Sequence, residues 1–131
     1  MDSTRLEAIA RRHGVRLVLQ FGSTVTGSEH ATSDVDVAVL AERPLSFRER
    51  AELMHDLQAL FPGREVDLVL INRADPLFLR KITDRCRLLY GSKRDLHELK
   101  LYAFRRYQDH RKYLALEREY VARTLRTIAD P

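Results

Sequence analysis

Apolar positions recur along this chain with two different periods, and the switches between them mark out its elements. Leu6, Ile9 and Ala10 hold helical spacing until Gly14, and Thr4 followed three residues later by Glu7 has the form of a capping box, so a short helix is predicted first. Val15, Leu17, Leu19 and Phe21 then alternate with Arg16, Val18 and Gln20, the period of a strand with one well-buried face. Gly22 ends it. Ser23 to Ser33 is rich in Ser, Thr and Gly and reads as a turn leading into at most a short helix.

A second strand follows over Ser33 to Leu40, with Val35, Val37 and Val39 on one face and Asp34, Asp36, Ala38 and Leu40 on the other. Past Pro44, Ser46 and Glu49 form a capping box for a helix carrying Phe47, Ala51, Met54, Leu57 and Leu60. Phe61-Pro62-Gly63 stops it. Val66, Leu68 and Leu70 alternate with Asp67, Val69 and Ile71 in a third strand. Asp75-Pro76 reads as an N-cap and first-turn proline, predicting a short helix over Leu77 to Thr83, and Cys86 to Tyr90 as a brief fourth strand. After Gly91-Ser92, Leu96, Leu99, Ala103, Tyr107, His110, Leu114, Val121, Leu125 and Ile128 keep a helical stripe, as one long helix or two with a bend.

At 131 residues the chain has the length of a single domain, with a core over about 1–91 and a helical region over about 92–129. Hydrophobic residues make up 44% and charged residues 32%, which excludes a disordered polymer. No apolar run nears the roughly 18 residues that span a bilayer, and the N-terminus has no secretory core, so a cytoplasmic protein with no membrane partner is expected. The lone cysteine, Cys86, forms no internal disulfide and reads as a small buried hydrophobe. The five histidines lack the paired spacing of a zinc site. The net charge of +4 is uneven: Arg85 to Arg126 carries twelve Arg and Lys against five Asp and Glu. That segment suits an acidic protein, RNA or nucleotide phosphates, or is simply a solvated helix face.

The chemistry gathers on the acids. Asp34 and Asp36, two apart on a strand, project to the same side of an otherwise valine-rich element. Two neighbouring carboxylates repel unless a cation lies between them, and a divalent ion with oxygen ligands meets that need. Asp67 interrupts the third strand where a structural sequence would carry Val or Thr, so three carboxylates on one sheet face could bind two magnesium ions. Gly22-Ser23, at the end of the first strand, offers an open amide to an anion, and the segment after it a helix start for phosphate.

The order Gly22-Ser23, ten residues, Asp34-Val35-Asp36 and then Asp67 about thirty residues on resembles the DNA polymerase β-like nucleotidyltransferase superfamily. Gly27 and Ser33 also match the family's spacing. The short length is similar to its minimal nucleotidyltransferase (MNT) branch, the antitoxin half of HEPN/MNT toxin–antitoxin pairs. The resemblance covers the chain from the first helix through the third strand and extends more loosely into the C-terminal helix. It implies an α/β (α+β) fold, a mixed β-sheet of about four strands with helices packed on one side, like the polymerase β palm, and a long C-terminal helix.

By the same resemblance Asp34 and Asp36 would ligate the magnesium that carries the triphosphate and share a second ion with Asp67, which would act as general base. Ser23 would bind the terminal phosphates, and Gly22 would let the chain approach them. The implied reaction transfers AMP from ATP to a tyrosine hydroxyl of a partner HEPN ribonuclease toxin and so neutralises it. Two alternatives stay open: masking of the toxin by binding alone, and nucleotidyl transfer to RNA or a small molecule.

Overall fold

A computed structural model describes residues 1–22 and 34–129 of the chain. Ser23, Gly27, Ser33 and the turn expected between 23 and 33 lie outside the described residues. The first helix, α1 (Ser3–Arg12), is capped by Asp2, whose carboxylate accepts from the amides of Thr4 and Arg5. This corrects the Thr4 capping box: a charged acceptor two residues earlier takes the free amides, leaving Thr4 inside the first turn.

Four strands, β1 (Val15–Phe21), β2 (Val35–Ala41), β3 (Val66–Leu70) and β4 (Cys86–Tyr90), form one sheet among the described residues in the order β3-β2-β1-β4. β1 runs antiparallel to both β2 and β4, whereas β2 and β3 are parallel. Parallel pairing needs a crossover, and helix α2 (Phe47–Gln58) supplies it. Its capping box is present as the sequence indicates, with the Ser46 hydroxyl accepting from the Glu49 amide and the Glu49 carboxylate accepting from the Ser46 amide. After α2, the side chain of Gln58 donates to the Arg64 carbonyl and accepts from the Val66 amide at 2.9 Å, closing the turn that aims β3 back along β2.

A 3-10 turn (Ile71–Arg73) follows β3, and the Asn72 side chain both donates to and accepts from the backbone of Ala41, at 3.0 Å each way. That pairing continues the sheet's hydrogen bonding past its last strand residue. Helix α3 (Pro76–Asp84) starts on Asp75, which accepts from the Phe78 amide, with Pro76 in the first turn. The last helix, α4, is one uninterrupted run, Lys93–Ala129.

The mixed four-stranded sheet and the long final helix are as expected, but helices cover both faces of the sheet. Leu6, Ala10, Leu53 and Leu57 of α1 and α2 pack on Val15, Val18, Val35, Val37 and Val39. Leu79, Ile82, Leu99 and Ala103 of α3 and α4 pack on Leu17, Leu19, Phe21 and Ala38 of the opposite face. The cause lies in the central strands, where β1 and β2 together carry Val15, Val18, Val35, Val37 and Val39 toward one face and Leu17, Leu19, Phe21 and Ala38 toward the other, so each face must be buried. A register irregularity between Val15 and Leu17 brings Val15 and Val18 to the same side.

Two further expectations change. In α2 the buried residues are Leu53 and Leu57, while Phe47, the first residue of the helix, is exposed. In α4 only Leu99 and Ala103 of the stripe are fully buried, and every residue from 111 to 129 is exposed. No helix among the described residues is long and apolar enough to cross a membrane.

Candidate active site

The acids meet at one end of the sheet. Asp36, second residue of β2, is the register partner of Asp67 in parallel β3 and of Phe21 in antiparallel β1. Asp34 stands just ahead of β2, two residues before Asp36. The alternation that sends Val35, Val37, Val66 and Leu68 into the α1/α2 core turns Asp36 and Asp67 to the other face, with Ala38 and Val69. Asp36 is partly buried, whereas Asp34 and Asp67 are exposed.

Burial raises the Asp36 carboxyl above its usual pKa, and the charges of Asp67 and Asp34 push it further the same way. Lys81, on α3, pulls it back. That lysine had no signature in the sequence: it sits on the solvent side of an amphipathic helix and reaches the acids only because of how α3 docks. Docking is aided by Phe78, whose ring meets that of Phe21 edge-on, with centroids 6.1 Å apart, beside the end of β1.

Gly22 follows Phe21 directly and has φ +83°, in the left-handed region that favours glycine. A β-carbon there would overlap Oδ2 of Asp36. The missing side chain thus opens the turn after β1 and also leaves room for the central carboxylate. Ser23, the other half of the expected phosphate grip, lies outside the described residues.

Chemically, the cluster offers hard oxygen donors whose mutual repulsion is already expressed in the raised pKa of Asp36, and a divalent cation fits such a set. Among the described residues, no three His, Cys, Asp or Glu side chains close around a common point as a ready-made metal cage. Asp34, Asp36 and Asp67 share a sheet end and a face, with two of the three free to reorient in solvent. Cys86 pairs in register with Phe21, yet burial pushes its thiol pKa up, which keeps it a neutral packing group. A separate cleft of about 690 Å³, bordered by Arg16, Leu40, Asn72 and Leu99, opens at the opposite end of the sheet and contains none of the three acids.

The model of the polymerase beta nucleotidyltransferase family matches residues 4–95, more than half of the chain and all of the segment that carries the acids. The protein adenylyltransferase MntA of Shewanella oneidensis is 32% identical over 81 residues, which cover 62% of this chain and 58% of that relative, so the match spans less than two thirds of the relative's length. A crystal structure of a toxin–antitoxin with AMP-PNP superposes with a TM-score of 0.73 at 25% identity, over 95% of this chain and 98% of that one. A structure of the tri-AMPylated Shewanella oneidensis HEPN toxin in complex with MNT antitoxin superposes at 0.66 and 23% identity over 94% of each chain, a likeness of fold.

Proposed function

Because the chain belongs to the polymerase beta nucleotidyltransferase family, we propose that it is a magnesium-dependent enzyme that transfers AMP from ATP to a tyrosine hydroxyl of a partner HEPN ribonuclease toxin and thereby silences it. The observation that carries the reading is the side-by-side register of Asp36 and Asp67, with Asp34 two residues ahead, at the sheet end where Gly22 leaves space. The resemblance to an adenylyltransferase and to a toxin–antitoxin bound to an ATP analogue supports the choice of nucleotide and acceptor. On this reading residues 1–131 act as one unit, the core over about 1–91 for chemistry and the helix after it for the partner.

Asp34, Asp36 and Asp67 would hold two magnesium ions, which when bound supply positive charge to the phosphates and ease ionisation of the acceptor hydroxyl. Asp67, the more exposed of the two paired acids, takes the proton of the acceptor hydroxyl as its oxygen attacks the α-phosphorus. A bond forms between that oxygen and phosphorus, and the bond to the departing pyrophosphate breaks. Gly22 lets the backbone approach the triphosphate, and the Ser23 hydroxyl and amide grip its terminal phosphates. Lys81 adds a cation near Asp36 from the α3 side, available to offset negative charge on the phosphates.

The test is incubation of the purified chain with α-labelled ATP, magnesium and the partner toxin, followed by mapping of the modified residue. Label on a toxin tyrosine, lost in the Asp36→Asn variant, is the expected result. A toxin silenced without label would replace transfer by masking, and label on RNA or a small molecule alone would replace the acceptor.

A further inference from the structure

The stripe with which α4 grips the sheet does not stop where the sheet stops. Beyond Leu99 and Ala103, steps of four and three residues lead through Tyr107 to Leu114, Val121, Leu125 and Ile128. Nothing in the described residues covers this continuation: Val121 is 46% exposed, Leu125 59% and Ile128 74%. A helix that only needed solvent would carry polar residues on that line.

Arg111 and Arg118 fall on the same line, at the steps between the apolar side chains, and neither has a carboxylate partner among the described residues. Glu117 borders the patch, but the chain from 105 to 126 holds seven Arg and Lys against three Asp and Glu. Two copies packed along this seam would bring together twice as many guanidinium groups as Glu117 carboxylates, and burying them unpaired is costly. A single-stranded nucleic acid would satisfy the arginines, yet the groups beside Arg118 on this line are aliphatic, and the Tyr107 ring next to Arg111 is already faced by the Arg80 guanidinium at 3.9 Å, which leaves bases little stacking plane. Tyr113 and Tyr120, which would give one, point to another side of the helix.

We propose that the 111–128 segment of α4 docks a helical protein partner whose apolar face carries carboxylates opposite Arg111 and Arg118. The proposal rests on the reading above in taking the HEPN toxin as that partner. Apolar contact along Leu114, Val121, Leu125 and Ile128 supplies affinity, and the two arginines set register and exclude a second copy of the chain. Docking at a helix anchored on the α3/α4 face of the sheet also brings the acceptor to the face that carries Asp36 and Asp67.

The experiment measures binding of the full chain to its purified partner toxin, at low and high salt, for wild type, Val121→Asp/Leu125→Asp, Arg111→Glu/Arg118→Glu, and Lys112→Glu on the far side of the helix. Both double variants are expected to lose affinity by at least about tenfold, with Lys112→Glu near wild type and wild-type binding weakening as salt rises. ATP binding and helical circular dichroism serve as controls for folding and stay unchanged. Unaltered partner affinity in the double variants, with wild type still labelling the toxin, overturns the docking surface and leaves the transfer reading standing. Tight, stripe-dependent binding without label overturns transfer and leaves the surface. Variants that dissociate a homodimer or release RNA while holding the partner as wild type does also overturn it.

Discussion

Gly22 and Asp36 occupy mutually dependent positions: the Asp36 carboxylate fills the space that any side chain at residue 22 would take. The glycine also has φ +83°, so a substitution meets both backbone strain and a clash with the central acid. Gly22→Ala is expected to cost about 1 kcal/mol in stability and, by turning the Asp36 carboxylate aside, to slow nucleotidyl transfer by at least about a hundredfold. Thermal unfolding and single-turnover labelling read the two effects separately. A variant of reduced stability but full turnover would show that the glycine serves the backbone alone.

The raised pKa of Asp36 carries a stability cost at neutral pH. Its charge is disfavoured in the folded chain by burial and by Asp67 and Asp34, whereas the unfolded chain imposes neither. The cost is present above the folded pKa and fades as pH falls through it toward the ordinary carboxylate value. Asp36→Asn, uncharged throughout, should therefore melt higher than wild type at neutral pH without metal, with the gap closing on acidification. The same variant should lose transfer by about a thousandfold and should not gain stability from added magnesium as wild type does. Melting curves across pH, with and without magnesium, check both signs, and equal stabilisation of the two proteins by magnesium would remove Asp36 from the metal site.

Gly22, Asp34, Asp36 and Asp67 could be named from residue type and spacing because acids inside valine-rich strands run against packing preference. The bounds of β1 and β4 were equally plain, each framed by glycine or polar punctuation. What spacing could not reveal was the parallel register that sets Asp36 beside Asp67, since it depends on the path of α2 and on the turn held by Gln58. Helices on both faces are hard to read from the pattern because Val18 is the single apolar residue among the alternating positions Arg16, Val18 and Gln20 of β1, too little to signal a second core face. Lys81 left no mark because its role arises from docking rather than from pattern.

Glu49 makes a second, independent pH prediction. Its pKa is lowered to about 2 by a hydrogen bond from Arg43, helped by the backbone and hydroxyl of Ser46. An acid with a lowered folded pKa contributes stability that is full above its ordinary value of 4.5 and is lost as pH falls through about 2. Carboxyl NMR titration should place Glu49 near that value, and Arg43→Ala should return it toward the ordinary one. Ser46→Ala, which removes the other half of the cap, should cost about 1 kcal/mol. A Glu49 that titrates normally in wild type would mean the pair is not formed in solution.

The first turn and the middle of α2 allow a direct contest between hydrophobic type and position. Phe47 is the larger apolar residue, yet it is 89% exposed in the first turn, while Leu53 is 1% exposed against the valines of the sheet. Truncating Leu53 removes buried area and leaves a cavity that the two-sided sheet cannot easily close, so Leu53→Ala should destabilise by about 2–5 kcal/mol. Phe47→Ala removes area that is already in water and should change stability by less than about 0.5 kcal/mol. Chemical denaturation of the two variants decides the matter. A large loss for Phe47→Ala would show that its ring is covered in the working protein, and would mark the start of α2 as a contact surface in its own right.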